Sequence, residues 1–156
     1  MSKSIERVRE AARKAGLDIE IKRMGASTRT AEEAAEQCGC DVAQIVKSLV
    51  FQGETTGRLC LFLVSGRNQL DLEAAARLFG EPLKRADPRH VRDETGFAIG
   101  GVSPLGHQIE IPTFADEALL GFDHVWAAAG AHDAVFRAEP GPLIAAAKAK
   151  VARLSA

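Results

Sequence analysis

Ser48-Leu-Val-Phe-Gln52 and Leu59-Cys-Leu-Phe-Leu-Val64, joined by the polar turn Gly53-Glu-Thr-Thr-Gly57, decide the reading of the fold. Both runs are apolar almost without break, which is the texture of strands buried on both faces. The short turn bounded by glycines predicts a hairpin between them.

Working upstream, Thr30 with Glu33 three residues on forms a capping box that opens a helix over AEEAAEQ, and Gly39 ends it. Asp41 with Gln44 repeats the pattern and predicts a further short helix to about Val46. Ile19 to Lys22 alternates as a short strand does. Ser4 to Gly16 reads as a helix, because Ile5, Val8, Ala12 and Ala15 recur at helical spacing. Downstream, Asp71 caps a helix through Phe79, and Asp87-Pro88 places a cap and an N1 proline before a helix ended by Gly96. Gln108–Ile111, Val125–Ala129 and Ala134–Arg137 read as strands. From Pro142, the residues Leu143, Ile144, Ala147, Val151 and Leu154 share one face of an expected C-terminal helix. Without repeats, low-complexity tracts or linkers, the expectation is one domain over residues 1–156. Its class is α+β, with a mixed or largely antiparallel sheet, since the elements lack the regular alternation of a doubly wound fold.

Composition narrows the functional classes. At 156 residues the chain can bury a real core, and no apolar run reaches the ~18–20 residues of a membrane span. The opening MSKSIERVRE lacks a signal-peptide core, so a soluble, cytoplasmic protein with no membrane partner is expected. Twenty basic against 21 acidic residues argue against a protein that coats DNA or RNA with a broad basic face. Cys38, Cys40 and Cys60 make an odd set, and no second pair completes a zinc site. Neither HExxH nor GxSxG occurs, so no metal, no cofactor and no serine-type hydrolase chemistry is expected.

Three segments can carry chemistry. Lys47 stands where the short helix gives way to the strand; it either caps the helix dipole or is itself a cation held at a pocket mouth, aimed at a phosphate or a developing oxyanion. The loop Gly100-Gly101-Val102-Ser103-Pro104-Leu105-Gly106-His107 is either a tight turn or a stiffened set of amide donors. Ser27-Thr28-Arg29-Thr30 is the capped start of a helix that can also present hydroxyls to a ligand.

Taken in order, STRTAEEAAEQCGCDVAQIVKSLVF, LFLVSGRNQLDLEAAARLFG, the TGFAIGGVSPLGH loop and VWAAAGAH resemble the YbaK/ProX family. These proteins are freestanding relatives of the editing domain inserted in bacterial prolyl-tRNA synthetase. The resemblance runs from about Arg7 to Leu154. It implies a mixed, barrel-like sheet surrounded by helices, and hydrolysis of the ester between a small amino acid and tRNA-Pro. By the same resemblance Lys47, Gly100 and Gly101 are catalytic. Ser27, Thr28, Thr30, Ser103, Pro104, Gly106 and His132 are expected to bind substrate. The implied partners are the acceptor end of mischarged tRNA and prolyl-tRNA synthetase. Two rival readings are a non-catalytic binder of aminoacyl-adenylate-like or nucleotide ligands and a general nucleic-acid-binding protein.

Overall fold

In the computed structural model, which describes residues 2–156, the chain opens with α1 (Lys3–Lys14), β1 (Ile21–Arg23) and α2 (Ala31–Cys38). The hairpin follows as β2 (Val46–Gly53) and β3 (Leu59–Ser65), then α3 (Leu72–Phe79), β4 (Leu83–Arg85) and α4 (Pro88–Thr95). After the glycine-rich loop come β5 (Thr113–Asp116), β6 (Val125–Ala128), β7 (Ala134–Ala138), α5 (Pro140–Ala146) and β8 (Lys150–Ala152).

Local chemistry accounts for the helix boundaries. Thr30 Oγ1 accepts from the Glu33 N–H and the Glu33 carboxylate accepts from the Thr30 N–H, both at 3.1 Å, so the capping box forms. Asp41 and Gln44 cap one another in the same way, but the helix they open is a single 3₁₀ turn, Val42–Gln44. It stops short of Val46 because that residue already belongs to β2.

The hairpin explains its own composition. Leu59, Leu61 and Leu63 enter the larger core, shared with Ile5 and Val8 of α1, Phe97 and Phe136. Cys60, Phe62 and Val64 point to the opposite face and pack with Ala75 and Phe79 of α3 and with Phe114. Side chains alternate across a strand, so a strand covered on both faces must be apolar throughout.

The strands form two sheets. One has the order β4-β2-β3-β5-β8, the other β1-β7-β6. The first is mixed, since β2 runs antiparallel to β3 and β4 whereas β3, β5 and β8 are parallel. The α+β class holds, but the sheet does not close into a barrel. The two sheets meet at one isolated bridge, Ile45 to Trp126, and part beyond it.

Two segments depart from the sequence reading. Gln108–Ile111 is not a strand: the Gln108 and Ile109 amides donate to the Thr95 and Glu94 carbonyls at the end of α4, and the strand begins at Thr113. The C-terminal helix ends at Ala146 instead of running on to Leu154. Lys148 adopts φ 55°, while the Lys148 and Ala149 amides bond back to the Ala145 and Ile144 carbonyls, a Schellman-type stop. The chain then adds β8 beside β5 in parallel. Leu143 and Ile144 fill the larger core, Leu154 the smaller one, and Val151 is left exposed.

Candidate active site

Lys47 is the second residue of β2, not a helix end. It is opposite Val64 on β3, and its ammonium donates to the Asn68 main-chain carbonyl in the loop before α3. That uses one of three N–H donors and leaves two for a ligand. Burial pushes the Lys47 pKa below the usual lysine range, and the nearby Glu32 carboxylate opposes this. The result is a half-buried cation held in place by main chain.

Beside it lies a cleft of about 450 Å³ where the two sheets part, within the ~300–1,000 Å³ typical of small-ligand sites. Its walls include Thr28 and Thr30, Lys47 and Ser48 of β2, Gly100, and Trp126 of β6. Segments distant in the chain thus converge on one space, which gathers Lys47, one end of the glycine loop and part of the STRT segment.

The loop itself divides in two. At its start the Gly101 N–H donates to the Ala98 carbonyl at 2.9 Å, closing a turn with Gly100 at φ +97°. This left-handed position favours glycine. Gly100 lies under Arg29, whose Cγ would be 2.9 Å from an added Cβ. Gly101 backs onto the Ala131 main chain, 3.1 Å from where a Cβ would sit, and its amide is committed to the turn. At the other end, Gly106 has φ +83° and rests on the main chain of Arg7 and Val8 in α1, where a Cβ would meet atoms at 2.9 Å.

Ser103 is fully buried; its hydroxyl accepts from the Leu105 N–H and its carbonyl bonds the His107 ring. It lines neither cleft. Pro104, Gly106 and His107 face a second, larger cleft of about 880 Å³ between α1 and α5. That space is the weaker candidate despite its size, because most of its charges already have protein partners. Lys148 pairs with Glu110, Glu10 with Arg13, and Arg7 donates to the Gly96 and Gly106 carbonyls.

The STRT residues have local duties as well. The Thr28 hydroxyl donates to the His132 carbonyl at 2.9 Å, Ser27 donates to the Glu33 carboxylate, and Thr30 caps α2. His132 is therefore tied to the STRT segment by its main chain, while its side chain is exposed and is not part of the cleft wall.

No cluster of three His, Cys, Asp or Glu residues is placed to hold a metal ion among the described residues. The cysteines are free thiols. Burial raises Cys38 to about 11 and Cys60 to about 12, so both stay protonated near neutrality. Residue-by-residue reading missed Ser48 and Trp126 as cleft residues. The one available signal was a serine interrupting the apolar strand beside Lys47.

Comparison with known proteins gives the family. The family model described as aminoacyl-tRNA editing domain matches residues 26–145. A crystal structure described as a candidate trans-editing enzyme for prolyl tRNA synthetase superposes with a TM-score of 0.91 at 52% identity, covering 100% of this chain and 99% of that one. A protein of Enterococcus faecalis, provisionally named Cys-tRNA(Pro)/Cys-tRNA(Cys) deacylase EbsC, is 32% identical over 65% of this chain and 62% of its own. Proline–tRNA ligase of Thermosipho melanesiensis is 33% identical over 51% of this chain, a match spanning 14% of that enzyme. The chain therefore belongs to the aminoacyl-tRNA editing domain family, and its activity is that of an aminoacyl-tRNA deacylase.

Proposed function

We propose that the protein is a trans-editing hydrolase that removes alanine, cysteine or another small amino acid from tRNA-Pro, holding the ester in the cleft between β2 and β6. The observation that carries this reading is the convergence of Lys47, Gly100, Thr28 and Thr30 on that one space. An aminoacyl ester is already activated, so a positioned water suffices as nucleophile, and no serine or cysteine need attack. Lys47 acts as an electrostatic anchor, offering its two free N–H donors to the terminal phosphate or the developing oxyanion. Gly100 is the loop residue suited to donate an amide to the oxyanion, since the Gly101 amide is spent in the turn. Gly101, Ser103, Pro104 and Gly106 hold the loop in shape. Thr28, through the His132 carbonyl, fixes the opposite wall.

Editing has a physical rationale. One methylene of difference gives a synthetase only ~1–3 kcal/mol of discrimination, so a second sieve is needed for small side chains. A near-neutral surface suits a cytoplasmic protein that grips the acceptor end of tRNA and leaves the remainder to prolyl-tRNA synthetase.

The test is a single-turnover panel of tRNA-Pro carrying alanine, cysteine, serine, 2-aminobutyrate or proline. Accelerated loss of at least one small residue, with prolyl-tRNA spared, is expected. Protection or unchanged decay of every ester would favour the non-catalytic binder instead.

A further inference from the structure

Ser48 presents a buried polar group that the fold leaves unused. Its Oγ is shielded from solvent and has no hydrogen-bond partner among the described residues. An unpaired buried hydroxyl is costly, and native proteins rarely retain one without a use. Ser48 also lines the cleft that contains Lys47.

The strand register adds main-chain groups at the same place. The Gly66 N–H donates to the Ile45 carbonyl, and the Gly53 N–H to the Arg58 carbonyl. Antiparallel pairs alternate, so odd-numbered residues of β2 exchange their main-chain bonds with β3, and even-numbered ones turn theirs to the far side. On that side β4 pairs only Phe51–Gly53, and β6 is joined to this part of the sheet by the single Ile45–Trp126 bridge. Ser48 falls between the two. No strand is paired with it on the side where the sheets part.

We propose that Ser48 is a substrate-binding residue, its hydroxyl and main-chain carbonyl holding the α-amino group of the aminoacyl ester beside Lys47. This rests on the editing reading above. A hydroxyl oxygen and a carbonyl supply the acceptors that an amino group needs. Lys47 offers donors alone, so the pair sorts the two ends of the substrate: phosphate or oxyanion to Lys47, amino group to Ser48. Glu32, on the same wall, offsets the adjacent positive charges.

The experiment compares wild type, Ser48→Ala and Ser48→Thr on tRNA-Pro carrying alanine or propionate, the latter an acyl group without the amine. Ser48→Ala should slow alanyl ester hydrolysis by roughly ten-fold or more, the scale of one lost hydrogen bond to a charged group. It should leave the slower propionyl reaction unchanged. Its melting temperature should hold or rise, because the substitution removes an unpaired buried hydroxyl. Ser48→Thr, which keeps the hydroxyl, should recover part of the alanyl rate. Equal loss on both esters, or wild-type alanyl rates in Ser48→Ala, would overturn the assignment while leaving the editing reading in place. A wild type inactive on every ester would count against that reading. A second readout then decides on Ser48: a non-hydrolysable 3′-alanylamido-3′-deoxyadenosine should shift the Ser48 amide resonance, and no shift overturns the assignment.

Discussion

The two ends of the glycine-rich loop use the same residue type for different ends. Gly100 sits in a turn at the wall of the Lys47 cleft, and the atoms closest above it belong to the flexible Arg29 side chain. Gly106 sits against the main chain of α1, which cannot yield in that way. The first glycine lines the candidate cleft, whereas the second lets a helix pack. A sequence motif of paired glycines and a proline thus mixes residues that line the candidate cleft with residues of the scaffold, and only the packing separates them.

Three substitutions can break this contrast, in descending order of expected effect. Gly106→Val should destabilise the fold by about 3 kcal/mol or more, since a side chain must enter at positive φ and collide with α1. Denaturant unfolding measures it, and the lost activity should track the lost folded fraction. Gly100→Ala should cost only about 1–2 kcal/mol of stability, the strain of a left-handed non-glycine residue. Its deacylation rate in fully folded protein should fall further than that of any Gly106 variant measured the same way. Similar stability losses at the two positions would erase the distinction.

The smallest effect concerns His107, at the scaffold end. Burial holds its imidazole below the usual histidine range, with Arg7 acting in the same direction and the Ser103 carbonyl opposing. The folded state therefore takes up a proton less readily than the unfolded chain. Stability should decline as the pH drops below about 6.5, where the unfolded imidazole becomes charged, and continue to decline to the lowered folded value. His107→Gln should remove that part of the slope in a melting series. An unchanged slope would mean that His107 is not shielded.

Where local chemistry decides, the sequence was legible. Capping boxes at Thr30 and Asp41 and the unbroken apolar strands of the hairpin need only neighbours a few residues away. The C-terminal segment was not, because Val151 and Leu154 lie at helical spacing but the Lys148 turn and the pairing of β8 with β5 override it. The strand expected at Gln108–Ile111 failed for a related reason, since its amides are taken by the end of α4. A barrel-like sheet was implied by resemblance, yet the sheets part after Ile45 and Trp126, and the candidate site occupies that gap. Lys47 and Gly100 could be selected from the chain. The role of Ser48 could not, because an unpaired hydroxyl and an uncovered strand edge exist only once β4 and β6 are placed.

The central claim is that the cleft beside Lys47 hydrolyses the aminoacyl ester, and Lys47→Ala tests it most directly. The substitution removes one hydrogen bond to Asn68 from a half-buried position, so folding should be retained in melting and circular dichroism measurements. Single-turnover deacylation of the preferred mischarged tRNA-Pro should fall by roughly 10²-fold or more, the scale of a lost electrostatic stabiliser. A folded Lys47→Ala protein that deacylates at the wild-type rate would contradict the account.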